Sequence, residues 1–273
     1  MVDLVTAKTV AAVSSFVMRG AVGLRANVFA LERRGVTVWA VPTVLLPWHP
    51  GLGPSTRTPS ADLPRQLDEL ADHAAALDGV LTGYFASAAQ VVAAAGFIDR
   101  LRAVRPDALV VVDPVTGDEG GRYVPDAVAD AIHRELVPRA DVITPNINEL
   151  RDMAGDTAPA SVRALGVPQV IVTSALGDAE MTGSTLVTPD RIASVTHNCV
   201  SDVARGTGDL FAGVLMAALV AGMDGPAALR EASAATLAVL SRSGSEALDL
   251  GGCQDLIAAP DLSAVRLVSG AGG

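Results

Sequence analysis

Strand-length apolar runs alternating with helical patterns predict a doubly wound α/β domain, with a mainly parallel central sheet flanked by helices on both faces. Runs such as ALVVVDP are apolar throughout, as strands buried on both faces must be. No internal repeat or linker breaks the pattern, so one domain is expected over residues 1–273, with about 268–273 as a flexible tail.

In chain order, TVAAVSS reads as a strand, LRANVFALERRG as a helix and VTVWAV as a second strand. ADLPRQLDELADHAAA is helical, GVLTGY a strand, and SAAQVVAAAGFIDRLRAV a helix capped by Ser87. ALVVVDP is a buried strand, and VPDAVADAIHREL a helix with Pro125 near its first turn. DVITP, NELRDMAG and QVIVTSA continue the alternation, and GSTLVTPDRIASV reads as two short strands around TPD, a hairpin near the site. RGTGDLFAG then opens the apolar helix VLMAALVAGM.

Composition removes several classes of function. A formal net charge of −10 argues against nucleic acid and anionic membrane as partners. No apolar run reaches membrane-spanning length, and MVDLVTAKTV lacks the layout of a signal peptide. Cys199 and Cys253 are isolated, which fits a reducing cytoplasm, and His49, His73, His133 and His197 form no zinc motif. Lys8 is the only lysine, so a lysine-bearing phosphate loop is absent. Lys8 also lies in a polar lead-in, a poor place for a Schiff base.

Polar residues stand at the carboxyl end of each expected strand: Ser15, Thr43, Tyr84, Asp113, Thr144 with Asn146, and Thr173 with Ser174. Open parallel sheets bind ligands outside those ends. Taken singly, each residue could cap a helix or make a turn, and for Ser15 and Thr43 that is the favoured reading. Together they favour a site. Gly206, Thr207 and Gly208 would leave backbone N–H groups uncovered at a helix start, a seat for an anion beside Asp209. Asp209 could equally be only a cap.

SSFVMRGAVGLRANVFALERRGVTVWAVPTV, TGYFASAAQ, VVVDPVTGDEGGRYVP, ADVITPNINEL, VIVTSA and GTGDLFAG together resemble the vitamin B6 kinases of the ribokinase-like superfamily. The likeness runs from about Val10 to Ser241. It implies transfer of the γ-phosphoryl group of ATP to the 5′-hydroxymethyl of pyridoxal, with pyridoxamine and pyridoxine as further acceptors. By resemblance Asp209 is the general base, and Gly206, Thr207 and Gly208 form the anion hole. Asp113, Thr144, Asn146, Glu149, Thr173 and Ser174 face ATP, and Asp113, Asp118, Thr144 and Glu149 face Mg²⁺. Ser15, Val22, His49 and Tyr84 surround the pyridine ring. The resemblance also implies a homodimer and leaves room for a monovalent cation, K⁺ or Na⁺. A kinase for another hydroxymethyl heterocycle, such as the thiamin pyrimidine precursor, and a catalytically weak B6- or nucleotide-binding protein are the alternatives.

The chain departs from that pattern at the acceptor end. Phe16 replaces a histidine, Leu24 an asparagine and Pro50 a threonine, while the lid segment before Arg205 and the helix around Ala158 to Leu165 are short. Lost polar groups would weaken selectivity among vitamers before they weakened phosphate transfer.

Overall fold

A computed structural model describes residues 7–177, 180–201 and 204–271. β1 (Thr9–Arg19) leads through α1 (Leu24–Arg33) and β2 (Thr37–Trp48) to a short edge strand β3 (Thr58–Pro59) and α2 (Leu63–Ala71). β4 (Gly79–Thr82), α3 (Ala88–Val104), β5 (Leu109–Val112) and a small ribbon of β6 (Gly117–Asp118) with β7 (Gly121–Arg122) follow. α4 (Asp126–Ala131) runs on as a wider π turn to Leu136, before β8 (Val142–Ile143), α5 (Ile147–Ala154), α6 (Pro159–Ala164) and β9 (Gln169–Gly177). The remainder is β10 (Met181–Val187), β11 (Arg191–Asn198), α7 (Thr207–Val220), α8 (Gly225–Leu240), α9 (Gln254–Ala258) and β12 (Arg266–Ala271).

The main sheet has the order β12-β11-β10-β9-β8-β5-β4-β1-β2-β3. Its centre, β9 through β2, is parallel, and β3, β10, β11 and β12 are antiparallel additions at the edges. Period-two alternation divides the core. Val10 and Ala12 of β1 face one cluster with α1, α7, α8 and α9, while Ala11 and Val13 face another with α2 to α6. Both faces are therefore covered, and the apolar strands need no wet side. No helix among the described residues is long and apolar enough to cross a membrane.

Three expectations need correction. The hairpin is long, and its turn at Thr188–Asp190 lies at the opposite end of the sheet from the expected site. β10 pairs back along β9 so that Val187 meets Val170, which places its open end beside Gly177 instead. The expected loose tail is a paired strand through Ala271, because residues 266–271 match β11 from Thr196 back to Arg191. Gly272 and Gly273 lie outside the described residues, as do Asp202 and Val203 of the segment before Arg205. Finally, β1 does not stop at Ser15. It passes through a bulge there and runs on to Arg19, because Val17, Val22, Val44 and Leu46 form a third small core under the extension.

Beside that extension, Gln90 pins three segments at once. Its Nε2 donates to the carbonyls of Thr43 (2.8 Å) and Ser60 (3.2 Å), and its Oε1 accepts from Ala86 N (2.9 Å). Ser87 caps the same helix, as expected, by accepting from Gln90 N. Replacing buried Gln90 by Leu should cost about 2–5 kcal/mol, since each stranded buried group costs about 1–3 kcal/mol. Urea unfolding of Gln90→Leu measures this, and a loss below about 0.5 kcal/mol would mean water replaces the amide.

Candidate active site

Two helices begin at the same point above the carboxyl ends of β1 and β4, where the strand order reverses. Gly206 is the N-cap of α7 and has φ 103°, and a Cβ there would overlap the Ala21 carbonyl. Gly23 is the N-cap of α1 with φ 58°, and a Cβ there would overlap Ser15. No side chain caps α7, so the first N–H groups after Gly206 stay available to a ligand. Gly206, Thr207, Gly208 and Asp209 thus come together as expected, in the first turn of the helix.

Asp209 lies in the first turn of α7 and its side chain does not cap that helix. The Gly23 N–H faces its carboxylate across the junction and acts to lower its pKa, while burial, the larger effect, raises it to about 6. The Asp209 backbone carbonyl accepts from Asn27 Nδ2 at 2.8 Å. Asn27 is buried on α1 and was not singled out from sequence, because its partner lies 182 positions away. Asp209 keeps some solvent exposure, so water entering the site tempers the shift.

Asp113 follows β5 and stands close enough to Glu149 and Asp209 for their charges to add to its own burial, and all three push its pKa well up. The Thr144 hydroxyl lies beside it and acts the other way, yet its oxygen is buried without a hydrogen-bond partner. The connecting loop is bent at Val115, a β-branched residue at φ 40°, where strain is tolerated only in a fixed surrounding.

Asn146 and Glu149 are committed to structure as well as to the site. Asn146 Oδ1 accepts from the N–H groups of Asn148 and Glu149, and its Nδ2 donates to Gly117 O. Glu149 Oε1 accepts from Thr116 N (2.7 Å) and Gly117 N (3.3 Å), and Oε2 from Asn146 N (2.9 Å). The pair is a capping box that also anchors the Asp113 loop. Burial raises the Glu149 pKa and these three N–H groups oppose it. Asp118 bonds Arg205 Nη1 at 2.9 Å through Oδ2 and Gly120 N through Oδ1. Among the described residues no group of three or more His, Cys, Asp or Glu side chains forms a ready-made metal cage.

Thr173 bridges to Asn146, and Ser174 is exposed in a left-handed conformation at φ 51°, within the bulge of β9 against β10. Tyr123 stands nearby. Partial burial, then the charges of Glu149, Asp113, Asp209 and Asp118, hold its phenol above the usual range. Sequence gave no signal for it.

The acceptor end differs from expectation. A cavity of about 140 Å³ is lined by residues that include Ala21, Val22, His49, Arg205, Ser245 and Glu246. Val22 and His49 belong to it. Ser15 does not line it but sits under Gly23, and Tyr84 packs beneath, against Val17, Val22, Val44 and Leu46. Thr43 donates to Tyr84 O at 2.7 Å, the structural role favoured for it. His49 accepts from Gly51 N, and burial, then Arg205 and Arg57, lower its pKa. Leu24 is 2% exposed in the main core, and Phe16 packs against the same core. Neither lines this cavity, so those two replacements strip no polar group from it.

A protein-family model described as phosphomethylpyrimidine kinase matches residues 19–252. A pyridoxine/pyridoxal/pyridoxamine kinase of Bordetella avium is 37% identical over 231 residues, covering 78% of each chain. A pyridoxal kinase of Pseudomonas syringae pv. tomato is 34% identical, covering 94% of this chain and 97% of its own. Among solved structures, a pyridoxal kinase of Leishmania donovani in complex with ADP and pyridoxamine superposes with a TM-score of 0.86 at 25% identity, covering 96% and 99%.

The partly buried carboxylate of Asp209 has a stability consequence. Its pKa is raised on folding from 3.8 to about 6, so the folded protein binds more protons across that window. Stability must therefore fall as pH rises from about 4 to about 6, and stay lower above it. Asp209→Asn removes that cost. It should be more stable than wild type at pH 7.5 by about 1–3 kcal/mol, with the difference closing by pH 4. Melting curves at both pH values check this, and a variant no more stable at pH 7.5 would place Asp209 in water.

Proposed function

The chain belongs to the phosphomethylpyrimidine kinase family, and we infer that within it Asp209 is the general base of an ATP-dependent pyridoxal kinase. The protein phosphorylates the 5′-hydroxymethyl of pyridoxal, in salvage of vitamin B6. The observation that carries the assignment of roles is the convergence of α1 and α7 on Asp209. A carboxylate with a pKa near 6 can accept a proton near neutral pH. The uncapped start of α7 offers N–H groups to the charge that develops on the transferring phosphoryl group.

Asp113, Thr144, Asn146, Glu149, Thr173 and Ser174 are our candidates for the ATP side. Mg²⁺ fits beside them. Three mutually repelling carboxyl groups and an unpartnered Thr144 Oγ1 make an oxygen-rich surface for a hard cation. With no closed cage present, nucleotide phosphates and water would complete its shell. Asp113, Thr144 and Glu149 would hold it, joined by Asp118 once that residue leaves Arg205. Bound there, it would neutralise phosphate charge. A monovalent cation and a homodimer remain readings from family resemblance.

For the acceptor, Val22 and His49 line the cavity, with Tyr84 and Ser15 supporting them from below. The polar side chains on its wall are half-buried His49 and exposed Arg205, Ser245 and Glu246, free to adjust to the ring substituent, which favours broad use of pyridoxal, pyridoxamine and pyridoxine. The description of the matching family keeps a hydroxymethylpyrimidine acceptor as a second reading.

Two outcomes are expected. Asp209→Asn should lower turnover about 10²–10⁴-fold, with ADP affinity within about twofold of wild type, and near-normal turnover would reduce Asp209 to a helix cap. In a coupled ADP-release assay, kcat/KM should lie within about tenfold across the three vitamers and well below them for hydroxymethylpyrimidine. A clear preference for the pyrimidine would favour the second reading.

A further inference from the structure

Transfer of a phosphoryl group concentrates negative charge where this chain keeps few cations. The only lysine, Lys8, pairs with Asp78 at the start of β4, the end of the sheet opposite the site. Arg122 is spent on Asp152 and Asp126. Arg205 is different. It immediately precedes Gly206, lines the cavity with Val22 and His49, and reaches across to Asp118 Oδ2 at 2.9 Å. Its guanidinium therefore lies between the acceptor cavity, the start of α7 and the loop after β5.

The Arg205–Asp118 pair is exposed, at 65% and 38% of the two side chains. Ion pairs this exposed contribute little to stability. The geometry holds the guanidinium at the site without committing it. A planar fork of N–H donors matches phosphate oxygens better than one carboxylate oxygen does.

We propose that Arg205 is a further catalytic residue: it leaves Asp118 when nucleotide binds and donates to the equatorial oxygens of the γ-phosphoryl group during transfer. This rests on the kinase reading above. In the step, the acceptor hydroxymethyl oxygen forms a bond to the γ-phosphorus. The bond from that phosphorus to the bridging oxygen breaks, and ADP departs with the electron pair. The hydroxyl proton passes to Asp209, and Arg205 keeps its own protons throughout. Asp118, released, turns to the nucleotide side.

The test uses the full chain with Arg205→Gln, Arg205→Lys and, as a control, Arg57→Gln. Arg57 is the other guanidinium whose charge reaches His49. Steady-state kcat and KM are measured alongside calorimetric binding of ADP alone and of ADP with aluminium fluoride, which mimics the phosphoryl group in flight. Arg205→Gln should lower kcat about 10²–10³-fold, as loss of a transition-state donor does. KM for pyridoxal and the Kd of ADP should stay within about threefold, while the extra affinity gained from aluminium fluoride disappears. Arg205→Lys should recover part of both. A kcat for Arg205→Gln within threefold of wild type would overturn the proposal. So would an equal loss in Arg57→Gln, or a fall in ADP affinity as large as the fall with aluminium fluoride. Failure of the kinase reading has a separate signature. Wild type would transfer phosphate to no vitamer while aluminium fluoride still tightened ADP in an Arg205-dependent way, which would leave the role of Arg205 standing.

Discussion

The close approach of the starts of α1 and α7 is the constraint on which the site depends. Gly206 lies against the Ala21 carbonyl and Gly23 against Ser15, at distances that no Cβ would allow. With both glycines in place the Gly23 N–H faces the Asp209 carboxylate and the Asn27 amide donates to the Asp209 carbonyl. The junction therefore fixes the base and leaves the α7 N–H groups unspent in one geometry. Helix dipole and hydrogen bonds then aim at one small volume outside the sheet.

That geometry is costly before ligands arrive. Asp113, Glu149 and Asp209 are all pushed above their ordinary pKa values, chiefly by burial, and for Asp113 also by the other two charges. Backbone N–H groups offset part of the cost at Glu149 and Asp209, but little does so at Asp113. Such a cluster is an expected trade of stability for function. Nucleotide and cation would relieve it, so binding should draw on strain that folding has already stored.

Much of this was legible in the sequence, for physical reasons. Apolar runs such as LVVV must be buried on both faces, and Ser87 capped its helix as its chemistry suggests. GTGD announced its helix start because two glycines beside a carboxylate have few other uses. What escaped was long-range. Asn27 looks like one polar residue in a helical run until Asp209 folds onto it. Asn146 and Glu149 read as nucleotide contacts, and only the folded loop exposes their capping box with Thr116 and Gly117. The segment SGAGG has the composition of a tail, yet its first residues are strand because β11 supplies an edge to pair with. Leu24 and Phe16 looked like losses from a pocket, and the core claims them instead.

The site turns on a partly desolvated Asp209 carboxylate facing the Gly23 N–H, and that state can be observed directly. Carbon-13 NMR titration of the Asp209 carboxyl in the ligand-free protein, assigned with Asp209→Asn, should give an apparent pKa of about 6. An ordinary aspartate value near 4 would contradict the account, because the carboxylate would then be solvated and the two helix starts would not be holding a base.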